Sequence, residues 1–454
     1  MMHPVHAGLL PLLCLLLPAC PKRSSVALDI GPDAGSDAPL ADSQVPDGPV
    51  GDGRCRVSMV AVTSSGQRAN ATRSHTPVIS RDGRFVAFVT EATNLHPGAP
   101  PGVYLRDLSS QTTTLLSVDN NGAPVSASGS TSISDDGRYV AFSSNAKNLG
   151  VTGYAAQLFR RDRLAGLTEM LSVSSAGIPA SADWGANGRL SGDGQHAVLY
   201  TGATNLVPGD TNTNQDVFLR DIAASTTVRV SVKHDGSECD GHSGAPSISH
   251  DGACVFSSSC ALVPNVTAPS NITMADVRDA AGTLTLVSTS QIWGASTGQR
   301  PIISGDGTLV AYLTRRDPDT DATMPHYTLY LHHTTTGQHT RLTYSVTGGD
   351  PDGDITVPAM SPNGRYISFS SRATDLVPGG TPGWFDAYRL DLQTGTIVLV
   401  SVDRQGQRLD ASHDIAENHT SVADDGSVVF DAYVKDCVPG KGASFCVYLY
   451  QGCD

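Results

Sequence analysis

Seven times along the chain a short apolar segment runs into Asp-Gly or Asn-Gly, and a second apolar segment follows. The turns are Asp82-Gly83, Asp136-Gly137, Asp193-Gly194, Asp251-Gly252, Asp306-Gly307, Asn363-Gly364 and Asp425-Gly426, spaced 54 to 62 residues apart. A regular period of this size marks a repeat architecture that reuses one supersecondary unit. Within the first period the pattern predicts four strands. Thr76–Ser80 enters a hairpin turn in which Gly83 accepts positive φ without steric cost. Phe85–Val89 is apolar at consecutive positions, as in a strand buried on both faces. Beyond the loop Thr90–Gly102, Val103–Leu108 and Thr113–Val118 supply the third and fourth strands. β-Branched and aromatic residues dominate, and no helical periodicity intervenes.

A four-stranded sheet that must bury both faces can do so by packing against its neighbours around an axis. The expected fold is therefore all-β: a seven-bladed β-propeller of four-stranded antiparallel blades over residues 55–454. A pair of β-sandwiches would bury the strands but would not explain seven regular units. After the fourth strand most units read Ser-Val-x-x-x-Gly, as in Ser117–Gly122, Ser172–Gly177, Ser231–Gly236 and Ser401–Gly406. A related string, Ala61–Gly66, precedes the first unit, and the last unit reaches only a third strand, Cys446–Tyr450. The N-terminal segment Val57–Val62 is expected to complete the seventh blade and leave no unpaired edge.

Phrases such as Ser134-Asp135-Asp136-Gly137-Arg138-Tyr139-Val140-Ala141-Phe142 resemble the TolB-type, WD-like propeller repeat. So does Asn205-Leu206-Val207-Pro208-Gly209-Asp210 followed by Asp216-Val217-Phe218-Leu219-Arg220-Asp221. The resemblance covers residues 55–454. TolB carries in addition an N-terminal α/β domain with no counterpart in these phrases, so the resemblance implies a propeller and not the TolB role in the Tol–Pal system.

The N-terminal residues read differently. Residues 7–19, AGLLPLLCLLLPA, form an apolar run of signal-peptide length, too short to span a bilayer. The run ends in Leu17-Pro18-Ala19-Cys20, which resembles the bacterial lipobox. Two features depart from that pattern: His3 and His6 stand where Lys or Arg is usual, and Pro18 where a small residue is preferred. The resemblance implies that Cys20 is lipidated, with an ordinary cleaved signal as the alternative. Pro21 and Lys22 after the cysteine imply an outer-membrane lipoprotein, facing periplasm or surface. Residues 21–54, rich in Asp, Pro, Gly and Ser and free of aromatics, are expected to be a disordered tether. A formal net charge of -14 argues against a nucleic-acid partner, because it repels phosphates.

Nine cysteines fit an oxidising compartment. None has the paired C-x-x-C spacing of a zinc site. Cys55 and Cys453 flank the expected ring closure and form the first expected disulfide. Cys437 and Cys446 flank a loop between neighbouring strands and form the second. Cys254 and Cys260 form the third, with Cys239 left over or exchanging with one of them.

Candidate chemistry is sparse. Gly294-Ala295-Ser296-Thr297-Gly298 matches a nucleophile elbow, but it lies in a link between blades rather than between a strand and a helix. Asp210, Asn212, Asn214 and Asp216 offer oxygens at alternate positions, as do Asp350, Asp352 and Asp354; either loop could hold calcium. His326, His332, His333 and His339 gather in the fifth unit, and His413 and His419 before the seventh. Trp184, Trp293 and Trp384 sit in or beside connecting loops, where they could anchor a partner or sugar or pack between blades. The links between fourth and first strands are long and acidic. They carry Asp235, Glu238 and Asp240, and farther on Asp410, Asp414 and Glu417, beside the 350–354 carboxylates. Long loops on a rigid scaffold are where binding usually resides, so this is the expected binding face. The expected function is that of a monomeric, non-catalytic envelope scaffold that binds a protein. A cation-dependent glycan- or polymer-binding protein is the first alternative. The second is an enzyme with a site in the propeller channel, which would need His, Asp or Arg to converge from different blades.

Overall fold

The computed structural model describes residues 55–181, 185–264, 273–278, 282–292, 301–318, 320, 322–379, 385–409, 419–435, 437–438 and 440–453. Cys20, the tether, the 294–298 string, His413, the three Trp residues, Asp410, Asp414 and Glu417 lie outside the described residues. Among the described residues, 28 strands form seven four-stranded sheets.

In six of these sheets the four strands follow one another along the chain. The first consists of Ser74–Ile79, Phe85–Thr90, Gly102–Asp107 and Thr112–Leu115. The next five span residues 128–170, 187–229, 243–292, 302–341 and 355–399. The remaining sheet is composite: Thr420–Val422, Val428–Lys435 and Ala443–Cys453 take Cys55–Met59 as their outer strand. The expected count of seven blades, the last closed by the N-terminal strand, is corrected here to six blades built from consecutive strands plus one composite sheet. Six blades are continuous in sequence, and the other exists because two distant segments pair. The closing strand also differs from the expected Val57–Val62. The register sets Cys55 opposite Cys453 and Met59 opposite Tyr448, and Val62 turns away to bridge Arg68.

The hydrophobic core is divided in the same way. Phe85 and Ala87 pack with Val140 and Phe142 between the first and second blades, and Tyr139 and Ala141 with Ala197 and Leu199 between the second and third. Five further clusters join the remaining neighbours, the last of them packing Val86 and Phe88 of the first blade on Val429 and Val447 of the composite one. Alternate residues of one second strand thus enter different clusters, which is why those strands are apolar at consecutive positions.

Two small devices account for the repeated polar residues. In six of the seven hairpins a serine stands before the turn; in the composite blade Ala423 takes its place. Ser80 Oγ donates to Asp82 Oδ1 (2.6 Å) and accepts from Phe85 N (2.9 Å), and Ser134, Ser191, Ser304 and Ser361 repeat the pattern. Gly83 follows at φ +74°, the conformation that a β-carbon disfavours. In the Ser-Val-x-x-x-Gly segments, the serine hydroxyl accepts from the third strand of its own blade, as Ser117 does from Val103 N and Ser231 from Val217 N. The valine carbonyl then serves the next blade. Thr113 Oγ1 donates to Val62 O, Thr168 Oγ1 to Val118 O and Thr227 Oγ1 to Val173 O, at 2.6 to 2.7 Å. Each such turn therefore fastens the outer strand of the following sheet.

Candidate functional site

Antiparallel order places the links between fourth and first strands on one face with the loops between second and third strands. Side chains staple these two sets together. Asn94 Nδ2 donates to Arg68 O, Asn205 Nδ2 to Pro179 O and Asn148 Nδ2 to Asp119 Oδ2. This face is therefore preorganised, although it is built from loops.

The two acidic loops behave differently. Asp210 and Asp216 come together, and Glu238 joins them from the facing link; these are the described residues whose ligand atoms cluster within 4.8 Å. Asn212 and Asn214 do not join, because their amides donate to the carbonyls of Cys239 and Asp240. Arg229 Nη1 sits among the three carboxylates, 3.4 Å from Asp210, 3.2 Å from Asp216 and 2.9 Å from Glu238. One guanidinium shared by three acids leaves excess negative charge. Burial and the neighbouring Asp216 push the Asp210 carboxyl up to about 6, whereas Thr211 and Arg229 hold Glu238 down at about 2. The guanidinium already stands where a bound cation would be expected.

The carboxylates of the 350–354 loop diverge. Asp350 pairs with Arg341 (2.7 Å), Asp352 accepts from Thr374 N (2.6 Å), and Asp354 accepts from Tyr327 N (2.8 Å) and Arg315 Nη2 (3.1 Å). They share no common centre. Asp235 caps its own turn through Ser237 N, and Asp240 contributes its backbone carbonyl. Of the histidines, His332 is buried with its ring 4.7 Å from that of His339, and burial drives it down to about 4. His419 lies 3.6 Å from the buried Asp431, which also accepts from Thr76 N. Thr76 sits in a bulge at φ 51°, a strained value for a β-branched residue.

The cysteine assignment changes in the fourth blade. Cys239 bonds Cys260 with a Cα separation of 6.1 Å, and Cys254 is a buried thiol. Cys254 opens a second strand, and its side chain enters the core beside Val217 and Phe256. Cys260 lies beyond that strand's end, against the link that carries Cys239. Cys437 bonds Cys446, Cα atoms 6.5 Å apart. Cys55 is disulfide-bonded and stands opposite Cys453.

The opposite face holds a convergence that the loops did not announce. The first strands of all seven blades line a cavity of about 140 Å³. At its hairpin end each blade contributes the residue after the serine position: Arg81, Asp135, Gly192, His250, Gly305, Pro362 and Asp424. Backbone hydrogen bonds run between neighbours in this ring: Arg81 N to Asp135 O, Asp135 N to Gly192 O, His250 N to Gly305 O, Gly305 N to Pro362 O and Asp424 N to Arg81 O. Pro362 lacks an N–H, and Asn363 Nδ2 reaches Asp424 O instead. Arg81 pairs with Asp424 (2.6 Å) and Asp135 (3.3 Å), and His250 Nδ1 lies 3.2 Å from Asp135 Oδ2. The signal was available at the second position of the turn tetrapeptide, the most variable of the four, where Arg, Asp, Gly, His, Gly, Pro and Asp follow one another.

No protein-family model and no curated protein matches the sequence. Solved structures do. An oligogalacturonate lyase in complex with manganese is 14% identical, with 87% of this chain and 93% of the lyase covered and a TM-score of 0.51. The oligogalacturonate lyase of Vibrio parahaemolyticus is 13% identical over 88% of this chain and 94% of the lyase, with a TM-score of 0.53. The chain is a β-propeller. TolB from Acinetobacter baumannii also matches, at 14% identity over 73% of this chain and 66% of TolB, with a TM-score of 0.39. At these identities likeness shows the fold alone. The neighbours span an enzyme and TolB, and neither activity passes to this propeller by similarity.

Proposed function

We propose that this propeller is a non-catalytic interaction module of the bacterial cell envelope, lipidated at Cys20, held at the outer membrane and binding a protein partner through its loop face. The observation that carries this reading is the exposure of large apolar side chains on the stapled loops. Tyr154 is 96% exposed, Val346 57%, Ile178 56% and Tyr344 45%, all in segments that emerge on that face. Exposed aromatic and aliphatic groups on a rigid support are the usual anchors of a protein interface. The surrounding carboxylates add a negative field that favours a basic partner. Calcium-dependent binding at the same face has less support, since the Arg229 guanidinium already occupies the centre of the one three-carboxylate cluster among the described residues. The test is capture from crosslinked envelopes with Tyr154→Glu and Val346→Glu. The reading expects partner recovery to fall at least tenfold while the melting temperature is kept. Undiminished recovery would place the interface elsewhere.

A further inference from the structure

The fifth blade departs from the first three at one cross-strand position. In those blades an arginine near the end of the third strand stands opposite a threonine of the fourth: Arg106 opposite Thr113, Arg161 opposite Thr168 and Arg220 opposite Thr227. In each, the guanidinium donates to the threonine hydroxyl at 3.0 to 3.2 Å. In the fifth blade both members change together. His332, near the end of the strand Thr323–His333, stands opposite His339, which opens the strand His339–Arg341. The two rings lie 4.7 Å apart, centre to centre. Strand alternation puts His332 on the same face as Tyr330, which packs with Val255 of the fourth blade. The pair therefore lies beside the turn between third and fourth strands, away from the stapled loops, and nothing about it rests on the reading above.

Packing alone explains this pair poorly. His332 is 4% exposed, and its Nδ1 is buried without a hydrogen-bond partner among the described residues. A buried imidazole nitrogen left unpaired costs free energy that a phenylalanine ring, or the arginine–threonine pair of the other blades, does not incur. A metal ion bound at that nitrogen removes the cost. His339 is oriented from its other side: its Nδ1 lies 2.8 Å from the hydroxyl of the fully buried Tyr312. A hydrogen bond to one ring nitrogen fixes the tautomer and the plane of a histidine that ligates through the other, so His339 would ligate through Nε2. The spacing fits as well. With metal–nitrogen bonds of about 2.0 to 2.1 Å, each ring centre would sit about 3.2 Å from the ion, and centres 4.7 Å apart would subtend about 95° there, the angle between neighbouring ligands in a square or octahedral complex.

We infer that His332 and His339 form a two-imidazole site for a divalent transition metal, copper(II) before zinc, with solvent filling the remaining positions. Two neutral nitrogen donors select that class over calcium or magnesium, and copper(II) is the tightest of the series on such donors. Equilibrium dialysis of the intact protein against copper(II) compares the native chain with His332→Phe, with His339→Phe and with the double variant His332→Arg/His339→Thr. The double variant restores the pair used by the first three blades and is expected to keep the melting temperature. Each variant is expected to lose at least tenfold in affinity for the tightest copper ion. Electron paramagnetic resonance of the native protein with one equivalent of copper(II) is expected to show hyperfine splitting from two imidazole nitrogens, and it reads the donor set even where a variant fails to fold. The inference is overturned if the native protein binds no copper, if its spectrum shows fewer than two nitrogen donors, or if the folded double variant binds copper like the native protein.

Discussion

Replacing Cys55 by serine removes the covalent hold at the seam where the N-terminal strand joins the last blade. Cys55 is disulfide-bonded and faces Cys453 across the ladder, and we expect Cys453 to be its partner, closing a loop of roughly 400 residues. In the chain-entropy treatment the stabilisation grows with the logarithm of loop length. It comes to about 6 kcal/mol here, about 3.3 kcal/mol for Cys239–Cys260 and about 2.6 kcal/mol for Cys437–Cys446. Residual structure in the denatured chain lowers the largest value most. The ladder to residues 448–453 and the bond from Cys55 N to Arg404 O remain in the variant, so it is expected to fold but to unfold at lower urea. Urea unfolding under non-reducing conditions, followed by fluorescence, compares the native protein with Cys55→Ser and Cys437→Ser. The midpoint shift of Cys55→Ser is expected to be about twice that of Cys437→Ser. An equal or smaller shift would refute the reasoning, and non-reducing peptide maps that show Cys55 and Cys453 as free thiols would refute the pairing.

Further perturbations follow from the same contacts. Arg229→Met strips three clustered carboxylates of their cation and is expected to cost about 3 to 5 kcal/mol at neutral pH; millimolar calcium should restore part of the melting temperature, and no response would show that these acids cannot form a cage. Asp210 titrates near 6 when folded, above an unfolded value near 4, so its contribution to stability is present below about pH 4 and lost as pH rises through about 6. Asp210→Asn should therefore flatten the stability profile across that window, which urea midpoints at several pH values would detect. Gly137→Ala brings a methyl within 2.3 Å of the Phe85 ring at φ +69°, whereas Gly66→Ala at φ +83° meets open space. The first is expected to cost at least about 2 kcal/mol and the second about 1 kcal/mol, and equal losses would deny the close packing of neighbouring blades.

The period and the hairpins were legible because they are local or fixed by counting, whereas the closing strand is Cys55–Met59 and not the expected Val57–Val62. Asp82-Gly83 and its six counterparts need only a turn, and Ser117 needs only the third strand of its own blade. What could not be read was anything set by which residues face each other across separate strands. Asp350, Asp352 and Asp354 alternate like a ligand set, yet a loop that bends among Arg341, Thr374 and Tyr327 sends them apart. Asp210 and Asp216 do meet, but through Arg229 and a glutamate from the facing link. Cys254 is only six positions from Cys260, yet strand alternation turns it into the core while Cys239 arrives across a loop. The ring of Arg81, Asp135, His250 and Asp424 gathers one residue per blade, and their approach depends on closure of the whole circle and on Gly192 having no side chain.

The interaction reading is tested most directly by site-specific photo-crosslinking in intact envelopes. A photoreactive residue replaces Ile178 on the loop face in one sample and Leu164, 67% exposed beside the hairpin turns, in another. The account predicts a discrete protein adduct from position 178, in at least tenfold excess over position 164. A stronger adduct from 164, or none from 178 while the propeller is folded and displayed, would contradict it.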